Sequence, residues 1–226
     1  MSVKGRLLGA LGAFVLTEAR VTAAVSLSPR LRRITLQGDG LKGVAWHPGD
    51  KVQVLLPSQD TRTYTPCAWD GARGVTSLLV FSHGQGPGSL WGAGLKPGDL
   101  VRFVGPQRSI TVPRGPVVLF GDETTFALAE ALDATAVFEV SDLEAAAAFV
   151  RTRTRTVTIP SNGTAHLDAV AGALADAFVG AGAGATIALA GRAKSIQAVR
   201  AGLSARGIAA PRHVKAYWAD GRVGLD

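Results

Sequence analysis

Cysteine is almost missing from this chain: Cys67 is the only one in 226 residues. One thiol cannot close an internal disulfide, and an iron–sulfur cluster needs several thiolates. A fused iron–sulfur domain is therefore excluded, and a reducing cytoplasm is the expected compartment. Charged residues make up only 18% and aromatic residues 6%, whereas 47% are hydrophobic, a composition that supports a packed core. No apolar run approaches the roughly 20 residues needed to span a bilayer, so membrane insertion is not expected. The apolar stretch 7–16 follows Lys4 and Arg6. It is interrupted by glycine and leads into Glu18 and Arg20, so it is not read as a secretory leader. His47, His166 and His213 stand apart, with no two at metal-ligand spacing. Nucleophile and acid–base patterns are missing too. What is present in excess is positive charge: 24 Lys and Arg against 17 Asp and Glu give +7. Such a field draws anions, but the cations form no block longer than a few residues, so nucleic acid is not the expected partner.

The two halves follow different patterns. In the first, Val21, Ala23 and Val25 alternate with small or polar residues, and short Val- and Leu-rich runs at 51–56 and 75–81 are bounded by Gly, Pro and Asp. Pro48-Gly49-Asp50 and Pro97-Gly98-Asp99 each precede an apolar run, as tight turns feeding strands would. Short strands at near-regular spacing predict a small β-barrel over residues 1–112. The pattern changes at Pro116. Runs at 117–120, 136–140, 155–159, 185–190 and 213–218 alternate with helix-like segments, which predicts a doubly wound parallel sheet over residues 113–226. Ligands of such sheets lie at the carboxyl ends of the strands, here expected in a cleft beside the barrel.

Two segments carry chemistry together rather than singly. Arg62-Thr63-Tyr64-Thr65 offers a charged fork for phosphate, a flat ring face and two hydroxyls. About twenty residues later, His83-Gly84-Gln85-Gly86-Pro87-Gly88-Ser89-Leu90-Trp91 reads as a glycine-rich turn entering a helix. Its backbone N–H groups can approach a phosphate closely, the helix dipole favours the anion, and Ser89 adds a hydroxyl.

With these segments, Gly105-Pro106, Gly121-Asp122-Glu123-Thr124, Gly191 and Tyr217-Trp218 with Gly221, the sequence resembles the siderophore-interacting proteins. These are flavin-dependent ferric-siderophore reductases related to ferredoxin–NADP reductases, and the likeness runs from about residue 19 to 221. It implies an FAD-binding Greek-key barrel followed by a nicotinamide-binding domain. Arg62, Thr63, Tyr64 and Thr65 would meet the flavin and its phosphates. His83, Gly84, Gly86, Pro87, Gly88, Ser89 and Trp91 would cradle the pyrophosphate. Gly121, Asp122, Glu123, Thr124, Tyr217 and Trp218 would complete the cofactor sites. NADH or NADPH, or a separate ferredoxin, would supply electrons for a ferric siderophore, which Lys194 and Lys215 would hold. Two other outcomes fit the same fold: a general flavin or ferredoxin-type reductase, and a protein that binds FAD without turnover. The chain departs from the family at Pro66-Cys67-Ala68, where a basic residue is usual, and at Phe126-Ala127-Leu128, where the usual proline is missing.

Some residues carry a second, structural reading. Two adjacent carboxylates after a buried strand would repel a phosphate, so Asp122 and Glu123 also read as capping residues of the next helix. Glu139 ends the second parallel strand, where some dinucleotide folds place an acid on the adenine ribose. Arg151, Arg153 and Arg155 alternate along an extended segment, as a charged edge strand or as a patch for a 2′-phosphate or anionic chelate.

Overall fold

A computed structural model describes residues 16–221 apart from 152, 154, 210 and 212, and most of the apolar stretch 7–16 lies outside the described residues. The chain divides into two compact units, residues 1–109 and 110–226.

The first unit holds strands β1 (Thr17–Ser26), β2 (Leu31–Gln37), β3 (Lys51–Leu55), β4 (Thr61–Tyr64), β5 (Pro66–Asp70), β6 (Val75–Phe81) and β7 (Leu100–Gln107). One helix, α1 (Pro87–Gly94), joins β6 to β7. The strands form a seven-stranded sheet in the order β4-β3-β7-β1-β2-β6-β5, with every pairing antiparallel. Period-two alternation sends Ile34, Leu36, Val52, Val54, Leu78, Val80 and Phe103 into one core. The two Pro-Gly-Asp turns are built alike: Asp50 accepts from the His47 N–H, and Asp99 from the Lys96 N–H, each at 2.9 Å. Strands β3 and β7 begin at the next residue.

The barrel expected from the sequence is open among the described residues, since no ladder joins the outer strands β4 and β5. Only Thr65 separates these two strands. So short a link turns a corner but cannot fold one strand back to pair with the other. The sheet curls nonetheless, and β4 lies against β6.

The second unit holds β8 (Val117–Gly121), β9 (Thr135–Val140), β10 (Thr156–Pro160), β11 (Thr186–Arg192) and β12 (His213–Trp218). Its helices are α2 (Phe126–Ala131), α3 (Leu143–Val150), α4 (Leu167–Gly180) and α5 (Ala193–Ala205). All pairings are parallel, in the order β10-β9-β8-β11-β12, so the winding reverses between β8 and β11. One face buries Val118, Phe120, Val137 and Leu189 under Val170 and Leu174 of α4 and Ile196, Val199 and Leu203 of α5. On the other face Phe138 meets Phe126 and Phe149 from α2 and α3, and the latter two rings stack at 4.4 Å. Residues buried on alternate faces explain the unbroken apolar runs of the sequence.

Candidate functional site

Tertiary structure joins the two motifs of the first unit at two points. Arg62, half-buried on β4, lays its side chain over Gly88 in the first turn of α1. A Cβ at that glycine would come within 3.1 Å of Arg62 Cγ, so the two elements are in close contact there. The guanidinium donates from Nη1 to the Thr61 carbonyl at 2.7 Å, which fixes its direction and leaves further N–H groups. Two residues on, the Tyr64 ring meets Trp91 of α1 with centroids 5.4 Å apart, and burial pushes the Tyr64 phenol up. A cation, a helix N-terminus capped by Gly86 with Pro87 at its start, and a paired aromatic surface thus converge. That donor set fits a pyrophosphate bearing an aromatic ring system. His83, Gly84 and Gly86 are exposed in the loop before α1, Ser89 is buried and Thr65 is buried beside Tyr64.

The residues that hold this helix were not legible in the sequence. Arg32 of β2 donates to the carbonyls of Gly92, Ala93 and Leu95, satisfying the orphan carbonyls at the helix end. Arg30 donates to the Ser82 carbonyl at 2.7 Å and lies over the Phe81 ring. At Gly92 a Cβ would strike Val80 of β6 at 2.4 Å, so the helix rests directly on the sheet. These contacts link residues about 50 to 60 positions apart, and no local spacing announces them.

In the second unit, Asp122 lies where the strand order reverses and is 3% exposed. Its carboxylate accepts from the Thr124 N–H and hydroxyl, from the Arg192 N–H at 3.0 Å and from Trp218 Nε1 at 2.8 Å. Glu123 is also buried and takes the N–H groups of Ser141 and Asp142 and the Ser141 hydroxyl on one oxygen. Asp122 and one oxygen of Glu123 are therefore spent inside the chain, as in capping groups. Trp218 is held by Asp122 on one side and by the Arg192 guanidinium, 5.4 Å from its ring centre, on the other. Tyr217 is half-buried beside it on β12.

Burial pushes the Asp122 carboxyl from 3.8 up to about 6, against hydrogen bonds from Thr124 and Trp218 that lower it, and the Glu123 charge adds to the rise. The folded form thus holds this proton more tightly than the unfolded form. The resulting stability is complete below the ordinary value of 3.8 and is lost as pH rises through about 6. Between pH 7 and pH 5 the group should stabilise the second unit by about 1 kcal/mol. Asp122→Asn should remove that component, which urea denaturation of both proteins at the two pH values will measure.

The other candidates do not gather into one patch. Lys194 is exposed in the first turn of α5. Lys215 is flanked on β12 by Val214 and Ala216, which pack under α5, so it projects from the opposite face of the sheet. Arg151 caps the end of α3, while Arg153 and Arg155 both bind Asp133, at 3.1 and 3.0 Å, near the amino end of β9. None of the three lies in a strand, since β10 begins at Thr156: the expected charged edge strand is instead the link between α3 and β10, and Asp133 takes two of its arginines. The positive charge is also unevenly divided. Residues 1–109 carry 13 Lys and Arg against 6 Asp and Glu, whereas residues 110–226 carry 11 of each, so the whole excess of +7 sits in the first unit.

Residues 59–110, which span both motifs, match the siderophore-interacting FAD-binding domain. FAD is the cofactor this match assigns to the first unit. No curated protein matches the sequence. Among solved structures, a siderophore utilization protein from T. fusca is 22% identical, with 93% of this chain and 95% of that one aligned at a TM-score of 0.72. The siderophore-interacting protein SipS from Aeromonas hydrophila is 19% identical over 92% and 93% of the two chains, with a TM-score of 0.69. Ferredoxin-NADP+ reductase from Plasmodium falciparum is 12% identical over 89% and 96%, with a TM-score of 0.67. At these identities the likeness is one of fold: an antiparallel sheet followed by a parallel five-stranded sheet. The resemblance to siderophore-interacting proteins drawn from the two motifs therefore holds. No helix among the described residues is long and apolar enough to cross a membrane.

Proposed function

We propose that this chain is an FAD-dependent reductase that passes electrons from NADH or NADPH to ferric siderophores, in the cytoplasm. The observation that carries the reading is the double joining of the motifs, Arg62 over Gly88 and Tyr64 against Trp91, inside the stretch matched to the siderophore-interacting FAD-binding domain. Bound FAD supplies the ability to take up two electrons and release them singly. Arg62 and the first turn of α1 would hold its pyrophosphate, and Tyr64 with Trp91 would give the flavin end an apolar surface. Arg32 keeps α1 in place. Ferrous iron is held less tightly than ferric iron by siderophore oxygens, so reduction frees the metal. No nucleophile or acid–base pair is required of the protein.

The concentration of charge in the first unit supports an anionic chelate as acceptor, because a field of this sign raises encounter rates. Reoxidation of pre-reduced flavin by an anionic ferric siderophore should slow as salt shortens the Debye length below about 10 Å, while a neutral chelate should react at nearly constant rate. Anaerobic stopped-flow absorbance at several ionic strengths measures both. If no ferric siderophore outpaces a free-flavin control, a general reductase takes the place of this reading.

A further inference from the structure

We propose that the second unit selects NADH over NADPH, because Glu123 and Glu139 deny a binding site to the 2′-phosphate. The inference rests on the reading above, in which this unit receives a nicotinamide dinucleotide. In doubly wound sheets the adenine ribose meets the end of the strand after the first, where an acid serves a 2′-hydroxyl and an arginine serves a 2′-phosphate. Here that strand is β9, and Glu139 near its end follows Gly121 by 18 residues.

Three features of this strand end oppose a phosphate. The donors of the turn after β9 are already taken: the Ser141 N–H, the Ser141 hydroxyl and the Asp142 N–H all go to Glu123 Oε1. Glu139, 4% exposed, adds a charge that its partner does not cancel. That partner is His166, whose Nδ1 accepts from the Asn162 N–H at 3.0 Å, so its ring proton lies on Nε2 and is donated to Glu139 at 2.8 Å. A neutral imidazole facing a carboxylate leaves the pair negative, and Glu139 Oε1 has no hydrogen-bond partner. Neither Glu123 nor Glu139 forms an ion pair with lysine or arginine among the described residues. The arginines close by in sequence, Arg153 and Arg155, are tied to Asp133 at the amino end of β9. A buried, uncompensated negative charge is poorly screened, and its field works against a phosphate dianion while tolerating a hydroxyl.

The test is calorimetric titration of the purified flavoprotein with ADP-ribose and with its 2′-phosphorylated form, which reads the adenosine end without turnover. ADP-ribose should bind at least tenfold more tightly. Glu139→Gln should narrow the ratio at least threefold, by tightening binding of the 2′-phosphorylated form. Equal or tighter binding of the 2′-phosphorylated form by the native chain overturns the proposal, whatever the variant does. Stopped-flow flavin reduction separates the two levels of inference. Equal reduction by NADH and NADPH leaves the reductase reading standing and removes this one. No binding and no reduction by either removes both.

Discussion

Arg62→Ala should bind FAD roughly 10- to 150-fold more weakly than the native chain, the equivalent of about 1.5–3 kcal/mol for a charge-assisted phosphate contact. The expectation comes from the placement of Arg62 against Gly88, in the first turn of α1, where the proposed pyrophosphate would sit. Loss of Arg153 provides the contrast. Its guanidinium is committed to Asp133 and the Ala129 carbonyl in the second unit, so Arg153→Ala should leave FAD affinity unchanged. Fluorescence titration of the deflavinated proteins with FAD will compare them. Equal losses in the two variants would mean that the phosphate site lies elsewhere.

Gly191→Ala should strongly destabilise the second unit. Gly191 adopts φ +103°, and a Cβ there would lie 2.5 Å from Asp122 Oδ2. The backbone conformation costs an L-residue about 1–2 kcal/mol, and displacing a buried carboxylate from its hydrogen bonds adds about 1–3 kcal/mol. A fall in melting temperature of about 10 °C or more is expected. Gly182→Ala is the control: φ there is +79°, with nothing within 4 Å of the added Cβ, so only the conformational cost should appear. If the two variants melt alike, the contact between Asp122 and Gly191 carries no weight.

The fold was legible because its signals are local. Alternation of one kind in β1 to β7 and unbroken apolar runs in β8 to β12 reflect burial on one face or on two, and the Pro-Gly-Asp turns announce β3 and β7 directly. The two motifs of the first unit were legible as segments for the same reason, since each lies within a short stretch of chain. Closure of the barrel was not, because pairing of β4 with β5 depends on strands that the sequence places end to end.

The sequence by itself determined the order of the two architectures, the two motifs and the excess of positive charge. Only the tertiary structure decided which charges remain available for ligands. Asp122 and one oxygen of Glu123 are consumed by backbone and side-chain donors as far away as Trp218, Arg153 and Arg155 by Asp133, and His166 by Glu139. A side chain's chemistry can be read from its type, but its partners lie across strands and helices many residues away. In a buried setting those partners decide whether a charge is spent on the fold or left for a ligand.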